Sequence, residues 1–106
     1  MGERVKGKVA VVIGAGQSPG EGIGNGRATA MLFAREGAKV LAVDRDAASA
    51  QDTAALIRGE GGTAEAFAAD VASESQLKAA VARAVGAWGR LDILHYNVGE
   101  IGRAHV

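Results

Sequence analysis

A three-layer α/β fold on a parallel sheet is predicted from three observations. Short β-branched runs alternate with longer Ala-rich amphipathic segments, the runs are apolar at consecutive positions, and a glycine-dense turn separates the first run from the first helical segment. A strand with one wet face alternates apolar and polar residues, yet Val9-Ala10-Val11-Val12-Ile13 and Val40-Leu41-Ala42-Val43 do not alternate. That is the pattern of strands covered on both faces, which a parallel sheet provides.

In chain order the first strand is expected over Lys8–Ile13 and the first helix over Gly26–Glu36, with Gly37 as its stop. The second strand, Lys39–Val43, leads to a helix over Asp46–Arg58 that Gly59 and Gly61-Gly62 end. A third strand, Ala64–Ala68, precedes a helix over Ser73–Trp88, opened by Ser73 and Gln76 as a capping box. Leu77, Val81, Val85 and Trp88 share one stripe of that helix and read as core. The last strand is Leu91–Tyr96, so the order is βαβαβαβ. Strand starts at 8, 39, 64 and 91 reflect this connectivity and not a repeat protein.

The 106 residues make one domain, able to bury roughly 65% of the unfolded surface. Twelve basic residues balance twelve acidic ones, which gives the chain no pull toward nucleic acid or an anionic membrane. Cysteine is absent, so disulfide and thiolate chemistry are excluded. No apolar stretch approaches the ~20 residues of a membrane span, and Met1-Gly-Glu-Arg-Val-Lys6 is not followed by a signal-peptide core. A cytoplasmic, small-molecule role is expected.

The chemistry concentrates in Gly14-Ala-Gly16-Gln-Ser-Pro-Gly20-Glu-Gly22-Ile-Gly24-Asn25-Gly26. A phosphate lies against backbone N–H groups only where no Cβ intervenes, and the following helix N-terminus adds unpaired donors and the positive end of a dipole. Glycine-rich loops also occur as plain connections, so context matters. Asp44 stands at the end of the second strand, where a carboxylate accepts hydrogen bonds from an adenosine ribose and repels a 2′-phosphate. NAD is therefore favoured over NADP, although the adjacent Arg45 could turn toward a phosphate. The plain alternative for Asp44 is a loop or helix-capping acid. Asp70 follows the third strand, at the same carboxyl edge where ligands of open α/β sheets gather.

Four separated motifs together resemble the N-terminal part of a short-chain dehydrogenase/reductase, over essentially residues 5–99. The family's glycine turn resembles Gly14, with Gly16 beside it, followed by Gly24-Asn25-Gly26; its acid after the second strand matches Asp44; its adenine-contacting Asp-Val matches Asp70-Val71. The fourth, Asn-Asn-Ala-Gly, appears as Tyr96-Asn97-Val98-Gly99, which keeps Asn97 and Gly99. The resemblance implies that Asn97 braces the sheet and that Gly99 lets the backbone approach the ribose and nicotinamide side. It also implies a Rossmann-like sheet in the order 3-2-1-4, with the fourth strand's flank uncovered, and a homo-oligomer for a full-length protein. His95 and Tyr96 read as strand packing.

The turn departs from the family pattern in two ways. Nine residues, Ala15 to Ile23, separate Gly14 from Gly24, six more than usual, and Ile13 stands where a Thr usually precedes the first glycine. Taking Gly22-Ile23-Gly24 as the matching pair is an alternative register, but the spacing from Gly26 to Gly37 fits the family's first helix better. The family's catalytic Ser and Tyr-x-x-x-Lys are not found: the single Tyr is Tyr96, and position 100 is Glu. No catalytic or metal-ligating residue is assigned. Ile101-Gly-Arg-Ala-His-Val106 can be encoded by a common sequencing-library adapter, so residues 100–106 are expected to be a non-native tail on a longer native protein.

The leading expectation is the NAD-binding part of an oxidoreductase that moves hydride between nicotinamide and an alcohol or carbonyl carbon, inactive by itself. A stand-alone, non-catalytic nucleotide-binding module is the second reading. A methyltransferase core binding S-adenosylmethionine is the third, disfavoured by Asp70-Val71 followed by Asn97-Val98-Gly99.

Overall fold

A computed structural model of the chain describes residues 5–16, 25–70 and 72–96, the side chain of Asn25 excepted. The elements are β1 (Val9–Ile13), α1 (Asn25–Arg35), β2 (Lys39–Asp44), α2 (Ala47–Gly59), β3 (Thr63–Ala68), α3 (Glu74–Trp88) and β4 (Ile93–Tyr96). All neighbours pair in parallel, in the order β3-β2-β1-β4. Both the connectivity and the order match those expected from the sequence.

The unbroken apolar runs have a simple cause: each face of the sheet has its own core. Val12, Val40 and Ala42 meet Ala30 and Ala34 of α1 and Ala54 and Ile57 of α2. Val9, Val11, Ile13, Leu41 and Val43 point the other way, toward Ala80 and Ala84 of α3. Leu41 is wholly buried in that second core, and truncating such a leucine to Ala costs about 2–5 kcal/mol.

Three local expectations differ in detail. In α3 the buried residues are Ala80 and Ala84, while Leu77, Val81 and Trp88 are half-buried and Val85 is 43% exposed. Ala80 and Ala84 face the sheet most directly, and the larger residues lie round to one side of that line, where Leu77 and Trp88 still pack against the core. The capping box is also open: Ser73 Oγ accepts the Gln76 N–H at 3.4 Å, but Gln76 Oε1 accepts the Asp70 N–H at 2.7 Å. The Ser73 N–H already donates to Asp70 O, so the glutamine secures the residue before the turn. Finally, β4 begins at Ile93 and not at Leu91, because the Val9 N–H is taken by the Asp92 carboxylate at 2.9 Å before the regular ladder starts at Ala10 and Ile93.

Gly37 is required by geometry. It ends the α1 turn at φ +98°, and a Cβ there would lie 2.9 Å from the Lys6 Cα. At the far edge, β4 has β1 as its sole strand partner among the described residues. His95 packs edge-on against Phe33 of α1, with ring centroids 6.1 Å apart, while Leu94 and Tyr96 are about half exposed on the other face.

Candidate functional site

Parallel strands joined by returning helices place every strand's carboxyl end on one edge, together with the N-terminus of each following helix. Gly14, Gly16, Asp44, Arg45 and Asp70 all stand on that edge, and Gly26 lies in the first turn of α1.

The turn after β1 is held residue by residue. The N–H groups of Gly14 and Ala15 both donate to Val43 O, at 2.8 and 2.9 Å. The Ala15 carbonyl accepts from Thr53 Oγ1 at 2.9 Å. The Gly16 N–H then donates to Asp44 Oδ2 at 2.9 Å. Three successive residues, Gly14, Ala15 and Gly16, are thus fixed by β2 and α2.

Gly16 has no room for a side chain. A Cβ built there would overlap Ser49 Oγ and come within 2.7 Å of Ser49 Cβ and 2.8 Å of Asp44 Oδ2. Its presence therefore reflects close approach and not merely a flexible loop.

Asp44 is not the helix cap. That role falls to Asp46, whose Oδ1 accepts from Ala48 N at 3.0 Å and Ser49 N at 3.2 Å. Asp44 instead accepts the Gly16 N–H on Oδ2 and the Asp46 N–H, at 3.0 Å, on Oδ1. A carboxylate offers about four lone-pair sites, so each oxygen keeps one acceptor position. Two adjacent acceptors at a strand's carboxyl end fit a vicinal diol such as an adenosine ribose. Arg45 is exposed beside it.

Asp70 is brought alongside because Ala69 N donates to Asp44 O at 3.0 Å, which extends the β2–β3 pairing past Ala68. Its Oδ1 accepts the Ala72 N–H at 3.0 Å, so the side chain shapes the turn into α3. Gly24, Val71, Asn97 and Gly99 lie outside the described residues, as do the Asn25 side chain and residues 100–106.

Two residues that sequence reasoning did not single out join the site to its scaffold. Thr53 is wholly buried, and its hydroxyl also accepts from Arg27 Nε at 2.9 Å. Arg27, at the start of α1, reaches Ser49 O with Nη2 at 3.4 Å as well. The available signal was spacing: Ser49 and Thr53 stand one helical turn apart among the buried Ala50, Ala54 and Ile57, the positions that face the sheet. The shifted titrations lie elsewhere. Arg35, hydrogen-bonded to Glu60, holds that carboxyl below its usual range, and Arg90 with the Val9 N–H does the same for Asp92.

The fit to a dinucleotide rests on this arrangement: a turn with no space for a Cβ at Gly16, beside a carboxylate with spare acceptors. Among the described residues, no group of three or more His, Cys, Asp or Glu could hold a metal ion, and no helix is long and apolar enough to cross a membrane.

Known proteins with this architecture share its sequence as well. An uncharacterized oxidoreductase, YxbG, of Bacillus subtilis (strain 168) is 39% identical over 105 residues, covering 96% of this chain and 36% of the relative. The crystal structure of a hydroxysteroid dehydrogenase from Escherichia coli superposes with a TM-score of 0.81 at 36% identity, covering 91% of this chain and 38% of that one. A 7α-hydroxysteroid dehydrogenase complexed with NADH and 7-oxo glycochenodeoxycholic acid gives a TM-score of 0.77 at 36% identity, covering 86% of this chain and 33% of that one. The chain thus spans about a third of the length of each of these three proteins. The short chain dehydrogenase family matches residues 8–106, which takes in every described strand and helix, and the chain belongs to that family.

Proposed function

We propose that this chain is the NAD-binding part of a cytoplasmic oxidoreductase that transfers hydride between nicotinamide and an alcohol or carbonyl carbon. The observation that carries the reading is the Asp44 carboxylate, held by the Gly16 and Asp46 N–H groups with one acceptor position spare on each oxygen. In this reading Gly14 and Gly16, whose N–H groups are taken by Val43 O and Asp44 Oδ2, give the pyrophosphate a close approach, and Gly24, Asn25 and Gly26 cradle it. Asp44 takes the ribose diol, Asp70 and Val71 contact adenine, and Asn97 and Gly99 serve the nicotinamide side. The NADH in one structural neighbour supports a nicotinamide cofactor in general. The choice of NAD over NADP rests on Asp44, whose charge would repel a 2′-phosphate; the adjacent Arg45 could offset it.

When bound, the cofactor supplies the hydride chemistry, and the chain supplies placement. These 106 residues contain no Tyr-x-x-x-Lys, so they bind without turnover; the longer protein would be catalytic and homo-oligomeric. Residues 100–106 are read as a non-native tail, which sequencing the source locus across codons 95–130 tests directly.

Calorimetric titration of the purified chain with NAD, NADP and S-adenosylmethionine tests the binding. NAD should bind most tightly. Binding of S-adenosylmethionine without NAD would overturn the reading in favour of a methyltransferase core, and measurable alcohol oxidation by residues 1–106 would overturn the claim of inactivity.

A further inference from the structure

We infer that Thr53, braced by Arg27, is a positioning residue that sets the glycine turn against the second helix and thereby sets nucleotide affinity. This rests on the proposed nucleotide reading of the same turn. Thr53 is wholly buried in α2, where a threonine hydroxyl is costly unless its hydrogen bonds are made. Here they are made across three segments: Oγ1 accepts from Arg27 Nε of α1 and lies 2.9 Å from the Ala15 carbonyl of the turn after β1. Ser49 O, one helical turn back, is 3.3 Å away, so the shorter bond to Ala15 takes the single hydroxyl proton.

The consequence lies one residue further on. The Ala15 carbonyl and the Gly16 N–H belong to one planar peptide unit, so the bond from Thr53 to that carbonyl orients the whole unit, while the preceding unit is held by the Ala15 N–H on Val43 O. That fixes the direction of the Gly16 N–H toward Asp44 Oδ2, the contact that aims the carboxylate. Gly16 cannot be held by side-chain packing, because it has no side chain and no room for one. Hydrogen bonds to its neighbours therefore fix the turn, and Thr53 provides one that reaches from α2. Thr53 touches no nucleotide in this account; it acts through Ala15 and Gly16.

The test compares Thr53→Val, which keeps the shape and removes the hydroxyl, with Thr53→Ser, which restores it. Two readouts are taken on the full chain: NAD affinity by calorimetry, and amide hydrogen exchange at Ala15 and Gly16 relative to Val11 and Val12. Thr53→Val should weaken NAD about tenfold, roughly the worth of one buried hydrogen bond, and speed exchange at Ala15 and Gly16 selectively. Thr53→Ser should restore both. Unchanged affinity and exchange in Thr53→Val, or equal damage in Thr53→Ser, would overturn the inference. If the unaltered chain binds no NAD, the proposed function fails, while the exchange comparison still decides whether Thr53 holds the turn. Should Thr53→Val not fold, Arg27→Met removes the outer donor from a half-buried site; it should weaken NAD and loosen Gly16, and wild-type behaviour in both would overturn the inference.

Discussion

Asp44 Oδ2 accepts the backbone N–H of Gly16 at 2.9 Å, joining the end of the second strand to the turn that follows the first, 28 residues earlier in the chain. This contact couples the carboxylate directly to the glycine turn, which Val43 and Thr53 also hold, so a change at either is felt at the other. Asp44→Ala should weaken NAD by about tenfold, or ~1.4 kcal/mol, and weaken NADP less, because loss of the charge also relieves repulsion of the 2′-phosphate. Parallel titrations of both nucleotides check this. Equal losses would remove the ribose contact from the account.

Gly16→Ala should reduce NAD affinity by about tenfold or more, since the new methyl overlaps Ser49 and crowds Asp44 Oδ2. Adding Ser49→Gly removes one of the two obstructing groups, so the double variant should recover part of the loss. A double-mutant cycle measures the coupling. Strict additivity would mean that the steric account of Gly16 is wrong.

Gly37→Ala acts on stability alone. The residue sits at φ +98°, and its added Cβ would press on the Lys6 backbone, so a loss of about 1–3 kcal/mol is expected in urea unfolding. Gly37 is remote from the carboxyl edge, which leaves nucleotide affinity of the folded fraction unchanged. A variant as stable as the parent would contradict the strained geometry.

How far the sequence disclosed this protein follows from which interactions leave a pattern. Consecutive apolar residues in Val9–Ile13 and Val40–Val43 announce burial on both faces, and two opposed cores are what the structure has. The fold was therefore legible, and the family was legible separately, through the motifs that resemble it. Asp44 and Gly16 were legible as separate candidates, but their hydrogen bond spans two loops and has no local signature. Thr53 left only a spacing signal on the buried face of α2, which marks burial and not a role; its value lies in meeting Ala15 and Arg27 in space. In α3 the stripe of large apolar residues marked the packed side through Leu77 and Trp88, but the fully buried positions are alanines, which leave no strong apolar signal.

Asp92 predicts a pH dependence. Its carboxyl is held below the ordinary range by Arg90 and then by the Val9 N–H, so the folded state binds its proton more weakly than the unfolded chain does. That stabilisation is fully present above the unfolded pKa of about 3.9 and is lost as pH falls through the lower folded value. Asp92→Asn should thus lower Tm by a constant amount between about pH 5 and 8, with the difference shrinking below about pH 4. A difference that grew on acidification would contradict the sign.

The central claim is that the glycine turn and Asp44 form one nucleotide site, and amide chemical-shift mapping of the isotopically labelled chain during NAD titration tests it most directly. The account predicts saturable shifts at Gly14, Ala15, Gly16, Asp44 and Asp70, with Lys78 and Arg83 on the outer surface of the third helix unmoved. Saturable shifts confined to other residues, or none at millimolar NAD, would contradict it.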